Sequence, residues 1–294
     1  MFRRRFIQTT CLATAAMAHS LRAAEPAAPR IRIALKCGMA SFGKNLEEKF
    51  RILKEIGYDG VELDSPGGQD KAEALVASKA TGLPIHGVVD SIHWTVRCSD
   101  PSEDVREKAL EGLLTAIRES HAVGGSAVLL VPGVMDDKAT HDEAVERSIP
   151  VIKRALPLAA ELGIRVLIEN VWNKMFYDEK GGDAQGAERL AAYIDRFDSP
   201  WVGSYFDIGN HRKFGKPEEW IRTLGKRIVK LDGKDWSREK GWVDLGEGDV
   251  DWPAVRASLA SIGYTGWATA EVKGGDRDRC AKVLDGMRRC LLGA

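Results

Sequence analysis

A single-domain α/β fold, the (β/α)8 TIM barrel, is what this sequence predicts, and three observations predict it. From residue 31 onward short apolar runs alternate with amphipathic helix-like stretches, and there are eight of each. The segments after the runs are long and those before them short, as in a barrel whose site lies on one rim. A doubly wound open sheet is the alternative, but eight uninterrupted units leave no obvious topological break for it.

The runs are IRIALKC from Ile31, DGVEL from Asp59, PIHGV from Pro84, AVLLVP from Ala127, RVLIEN from Arg165, WVGSYFD from Trp201, IVKLD from Ile228 and GWATAE from Gly266. All are short, and most are rich in β-branched or aromatic residues, which suits buried strands. Helices are predicted over 46–57, 71–82, 101–124, 142–163, 184–196, 217–226, 252–263 and 277–292. Gly57, Gly82, Gly163 and Gly263 stand just before the next strand, where glycine tolerates the left-handed turn that ends a helix. The long loops follow strands three, five, six and seven.

With 294 residues and 44% hydrophobic content the chain buries a full core. Lys+Arg and Asp+Glu are both 43, so no strong field points to nucleic acid or an anionic membrane. A small neutral or mildly anionic substrate is the expected partner. Residues 1–30 read as an export signal and linker: Arg3 and Arg4 precede Phe6 and Ile7, then come a short apolar stretch and the Pro/Ala-rich EPAAPR. The order is that of a twin-arginine signal, which places the mature protein, with its barrel over 31–294, in the periplasm or otherwise outside the cytoplasm. The apolar stretch is too short for a stable membrane span. Cleavage after Ser20 and after Ala18 both fit. Beyond it, Cys37, Cys98, Cys280 and Cys290 show no Cys-x-x-Cys spacing, so neither a zinc ribbon nor a disulfide framework is expected.

Four acidic residues, Glu169, Asp207, Asp232 and Glu271, each sit at the end of an apolar run. In a barrel all four converge on one rim, where crowded carboxylates repel and raise their own pKa values unless a cation neutralises them. A divalent metal is the simplest answer. Oxygen donors with at most one imidazole favour Mn²⁺, with Mg²⁺ or Co²⁺ as alternatives, over a thiolate-rich zinc site.

These residues resemble the xylose isomerase-like barrels, in particular the sugar phosphate isomerase/epimerase group that includes ketose 3-epimerases and hydroxypyruvate isomerases. The resemblance runs through GYDGVEL, IEN, FDIGN, the KD pair and GEGDVDW…GYTGWATAE, essentially the whole mature chain. It implies a Glu, an Asp, a His and a Glu on strands five to eight binding one divalent ion. Glu169, Asp207 and Glu271 match, while the usual His-x-Lys-Asp reads Asp232-Gly233-Lys234-Asp235. His211, just after Asp207, is a second candidate for the missing imidazole.

The resemblance also implies a reaction: proton transfer next to a carbonyl through an enediolate, with Glu169 and Glu271 as the acid–base pair on opposite faces of the reacting carbon. His86, at the end of strand three, and Trp172, Asn210, His211, Lys234 and Arg238 on later loops are the expected sugar contacts, with His93 and Trp94 nearby. Arg238 stands six residues after Asp232, a spacing at which the ketose epimerases carry a substrate-binding arginine. A keto-sugar or keto-glycoside lyase or dehydratase begins with the same proton abstraction and is the alternative enzyme. A non-catalytic sugar-binding barrel is the alternative without chemistry, and a homo-oligomer is compatible with the sequence. The nuclease branch of these barrels needs many metal-binding histidines and a basic surface, and this chain offers neither.

Overall fold

The structure is a computed structural model and describes residues 30–135 and 140–294. The expected signal and linker, apart from Arg30, lie outside the described residues. Eight parallel strands close into a barrel: β1 (Ile31–Lys36), β2 (Gly60–Ser65), β3 (Ile85–Asp90), β4 (Ala127–Leu130), β5 (Arg165–Glu169), β6 (Val202–Asp207), β7 (Ile228–Gly233) and β10 (Gly266–Ala270), with β10 pairing back onto β1. The helices outside are α1 (Leu46–Ile56), α2 (Lys71–Thr81), α3 (Glu103–Ala122), α4 (His141–Leu162), α5 (Glu188–Asp195), α6 (Ile208–Arg212), α7 (Pro217–Leu224), α8 (Trp252–Ser261) and α9 (Arg277–Leu292).

Local chemistry sets the helix ends. Asn45, Asp70, Asp251 and Asp276 cap their helices by accepting a backbone N–H, and Thr140 forms a full capping box with Glu143. Gly57, Gly82 and Gly163 take left-handed conformations after α1, α2 and α4. Outward-facing strand residues such as Val88, Ile168, Phe206 and Leu231 are fully buried in the main apolar core. Each such side chain contributes about 1.5–3 kcal/mol when buried.

The barrel interior is polar in two layers, because residues two apart on a strand face the same side. Tyr205 and Asp207 on β6, Lys230 and Asp232 on β7, and Thr269 and Glu271 at the end of β10 are such pairs. Register sets Tyr205 opposite Lys230 and Asp207 opposite Asp232, whereas β10 is staggered against β7 by one pair, with Asp232 opposite Thr269.

Three elements differ from expectation. The loop after β6 holds α6, and the long segment after β7 holds an antiparallel hairpin, β8 (Asp235–Ser237) and β9 (Gly241–Val243). Neither is long enough to show a sequence period. Helix α5 starts later than predicted, since Gln185 is engaged in the preceding loop, bonding Asp178 and Gly182. Among the described residues no helix is long and apolar enough to cross a membrane.

Candidate functional site

Glu169, Asp207, Asp232 and Glu271 each bring one oxygen to within 4.8 Å of the others at the C-terminal rim of the barrel. The first three are buried and Glu271 is partly open. Two carboxylates about 4 Å apart repel by ~4 kcal/mol even at an effective dielectric of about 20, so four cannot stay ionised without cations. Two cations are present: Lys36 and Lys234. Lys36 Nζ lies 3.2 Å from Asp232 Oδ2 and 3.4 Å from Glu271 Oε1. Lys234 Nζ lies 2.9 Å from Glu271 Oε2 and 3.2 Å from Asp207 Oδ2. Two negative charges remain, the number one divalent ion cancels. Asp232 Oδ1 is buried with no hydrogen-bond partner, an acceptor left bare in the middle of the cluster. This donor set fits a hard divalent cation.

The electrostatics divide the carboxyls. Burial alone would raise Glu271, but Lys36 and Lys234 outweigh it and hold the carboxyl down at about 2. Burial, then the Glu271 carboxylate, push Glu169 well above the ordinary range. Asp232 is likewise raised by burial, against the pull of Lys36, and Asp207 is pushed up to about 6 by burial against Lys234. Burial also opposes both ammonium groups, yet the surrounding carboxylates hold Lys36 and Lys234 well above the usual lysine value.

The sequence motifs have structural explanations. Asn170, of IEN, splices β5 to β6: its Nδ2 donates to Asp207 O at 2.7 Å and its Oδ1 accepts from Asp207 N at 2.8 Å. Asn210, of FDIGN, donates from its backbone to Asp207 Oδ1 at 2.7 Å and from Nδ2 to Asn170 O at 2.9 Å. Gly209 permits the close approach of α6 to the next strand, since a Cβ there would lie 2.7 Å from the Lys234 backbone. Asp235, of the KD pair, anchors the GEGDVDW loop by accepting from Gly246 N and Trp252 Nε1, both at 2.9 Å.

Above the cluster is a cavity of about 230 Å³, bordered by Lys36, Glu169, Glu271 and the aromatic residues His93, Trp94 and Trp172, with Asn210, Lys234 and Trp242 completing the wall. A second, outer lobe of about 540 Å³ shares Lys234, Trp242 and Glu271 with it and extends over Asp244 and Lys273. Trp242, half exposed on β9, stacks on Trp172 at 4.8 Å, and Trp172 Nε1 is tied to Asn210 O at 2.8 Å. Lys234 Nζ lies 4.8 Å from the Trp242 ring. His93 Nδ1 accepts from Val131 N at 3.2 Å while burial lowers its pKa to about 3, so the neutral ring carries its proton on Nε2.

Three expected residues lie elsewhere. His86 does not end its strand: β3 runs on to Asp90, so His86 sits near the beginning, one layer below the rim. There its Nδ1 lies 2.9 Å from Lys230 Nζ, its Nε2 3.0 Å from Thr269 Oγ1, and its ring stacks on Trp267 at 4.8 Å. His211 is not a loop residue but a buried member of α6, its Nδ1 2.9 Å from Asn170 Nδ2 and its ring packed on Trp220. It stands outside the four-oxygen group, in which Asp232 is the fourth donor. Arg238 falls at the turn of the β8–β9 hairpin, where it pairs with Asp183 at 2.6 Å and borders neither lobe. Lys36 is the residue the sequence reading passed over. Only its position after an apolar run marked it, and a lysine there usually means nothing.

A family model described as the xylose isomerase-like TIM barrel matches residues 50–290. The chain belongs to that family. An uncharacterized protein of Methanocaldococcus jannaschii is 25% identical over 181 residues, covering 58% of this chain and 59% of its own length. The 3-dehydro-D-guloside 4-epimerase of Escherichia coli is 32% identical over 96 residues, 32% of this chain and 35% of that one. The match therefore spans about three fifths and one third of these curated relatives. Solved structures cover more. The apo 3-keto-D-glucoside 4-epimerase of E. coli superposes with TM-score 0.72 at 19% identity over 90% of this chain and 100% of that one. A zinc-bound IolI protein superposes with TM-score 0.73 at 15% identity over 89% and 98%. At such identities the likeness is one of fold.

Proposed function

We propose that this xylose isomerase-like barrel is a divalent-metal-dependent sugar isomerase or epimerase that works by proton transfer next to a carbonyl, through an enediolate. The observation that carries the reading is the pair Glu169 and Glu271, on β5 and after β10, bordering one cavity above a four-carboxylate cluster with a bare acceptor. The epimerase relatives support the substrate class. Glu169, Asp207, Asp232 and Glu271 would hold the ion, which would supply positive charge where a sugar oxygen becomes anionic and so would favour loss of the neighbouring C–H proton. Asp232 in place of the family's histidine makes the donors harder and favours Mn²⁺ or Mg²⁺.

The chain's own residues divide the proton work. Glu169 and Glu271 form the acid–base pair, one taking the proton from the reacting carbon and the other returning one. Return to the same carbon from the other face gives an epimer, and return to the next carbon gives an isomer. Val89 and Val171 exclude water beside Glu169, while His93 Nε2–H and Asn210 offer polar contacts to the sugar. Deuterium wash-in from solvent into a panel of ketoses, with and without EDTA, tests the proposal. Label at one carbon that depends on metal supports it, and no exchange into any sugar refutes it.

The outer lobe favours a second reading, a keto-glycoside lyase, because it leaves room for a group beyond the reacting ring. A glycoside panel separates the two by product, a released aglycone against an intact isomer. A sugar-binding barrel without chemistry would bind ligand equally well as the Glu169→Gln variant. Export in folded form by the twin-arginine route is proposed from the first residues, and Arg3→Lys with Arg4→Lys should hold the protein in the cytoplasm on cell fractionation.

A further inference from the structure

We propose that Lys36 is a working member of this centre: a fixed positive charge that weakens the cluster's grip on its cation and, in exchange, meets the sugar oxygen on which negative charge develops. The inference rests on the isomerase reading above and adds a residue to it. Barrel closure creates the placement. β1 and β10 are neighbours only because the sheet closes, Leu35 lies level with Ala270, and Lys36 thereby arrives beside Glu271. Its Nζ takes Asp232 Oδ2 and Glu271 Oε1, so two of the four carboxylates present an oxygen to Lys36. Glu271 is gripped on both oxygens, by Lys36 on one side and Lys234 on the other.

A lysine serving only to neutralise buried acids has no need of the cavity. Lys230 is the internal control, since it is sealed beneath the rim with its Nζ on His86 O at 2.6 Å and borders neither lobe. Lys36 borders the cavity beside Glu169 and Glu271 and keeps 18% of its side chain exposed. A positive charge here opposes a metal ion in every state of the reaction, and it helps most when the sugar oxygen becomes anionic. Binding strength given up in the ground state is thus recovered in the transition state.

The test compares Lys36→Met with the wild type, using the full chain stripped of metal. Mn²⁺ affinity is read by titration calorimetry and proton transfer by deuterium wash-in into the ketose panel. The inference expects Lys36→Met to bind Mn²⁺ about tenfold tighter or more and to exchange about 100-fold more slowly. Lys36→Arg should return the Mn²⁺ affinity to within a few-fold of wild type. Equal or weaker Mn²⁺ binding by Lys36→Met, which a mere prop for the carboxylates would give, overturns the inference, as does unchanged exchange. Should Lys36→Met fail to fold, Lys36→Gln carries the same two measurements. Absence of exchange by the wild type overturns the isomerase reading and the reaction half of this inference together, whereas unchanged affinity in Lys36→Met overturns this inference alone.

Discussion

Two polar layers lie one above the other inside this barrel, and they are built on opposite charge rules. In the lower layer one carboxylate, Glu62, shares the space with one ammonium, Lys230. Neutral groups link them: Tyr205 OH donates to Glu62 Oε1 at 3.0 Å and meets Thr269 Oγ1 at 2.6 Å, Thr269 meets His86, and His86 meets Lys230. Gly87 leaves the room, since a Cβ there would lie 2.8 Å from Lys230 Nζ. Burial raises Glu62 against the pull of Lys36 and Lys230, and lowers Lys230 to about 8. In the upper layer four carboxylates face two ammonium groups, and an acceptor stays bare beside a cavity. Balanced charge makes a plug, and surplus charge makes a site.

The comparison can be broken by treating both layers alike. Glu169→Gln, in the upper layer, should lower metal-dependent deuterium exchange by about 10³-fold, within the range for a general acid–base group, while the thermal melting point stays near wild type. A large loss of stability with unaltered exchange in the folded fraction would reverse the roles given to the layers. Lys230→Met, in the lower layer, should do the opposite: about 1–3 kcal/mol of stability lost in urea unfolding, because the buried His86 carbonyl and ring nitrogen lose their donor. Its exchange rate, measured on folded protein, should stay within a few-fold of wild type.

Smaller effects sharpen the contrast. Trp242→Ala should raise KM about tenfold with kcat little changed, since the ring borders both lobes but contacts no carboxylate of the cluster by ion pair or hydrogen bond. A fall in kcat alone would move Trp242 into the chemistry. The mildest test is pH. Asp207 is raised in the folded state to about 6, so between about pH 4 and pH 6 the folded protein binds the extra proton. Its contribution to stability is therefore present at low pH and lost as pH rises through 6. Glu271 has the reverse sign: held at about 2, it contributes stability above the unfolded value that is lost only as pH falls toward 2. In EDTA the melting point should drop from pH 4 to pH 6, and Mn²⁺ should abolish the drop by replacing the proton. A flat profile in EDTA would show that Asp207 does not titrate there.

How far the site was legible follows from where its signals lie along the chain. Glu169, Asp207, Asp232 and Glu271 were visible because each closes an apolar run, and a parallel barrel turns strand ends into one rim. Lys36 stands near the end of its run as well, but its partner Asp232 is 196 residues away, and lysines at strand ends are ordinary. His86 was set too high because the polar Asp90 hid the true end of β3. Arg238 was drawn toward the substrate by its spacing from Asp232, and the β8–β9 hairpin, too short to carry a period, turns it to Asp183. His211 read as a loop residue because α6 spans five residues, fewer than a pattern needs.

The sequence by itself determined the eight strand–helix units, the helix caps and the sidedness of the rim, since these depend on periodicity and on residues within a turn of one another. Only the tertiary structure decided which charges meet. Barrel closure brings β1 against β10 and sets Lys36 beside Glu271, and register decides whether a side chain two residues lower falls in the plug or in the site. Those are distances through space between groups remote in the chain, and the energies that arrange them depend on burial, which no local pattern encodes.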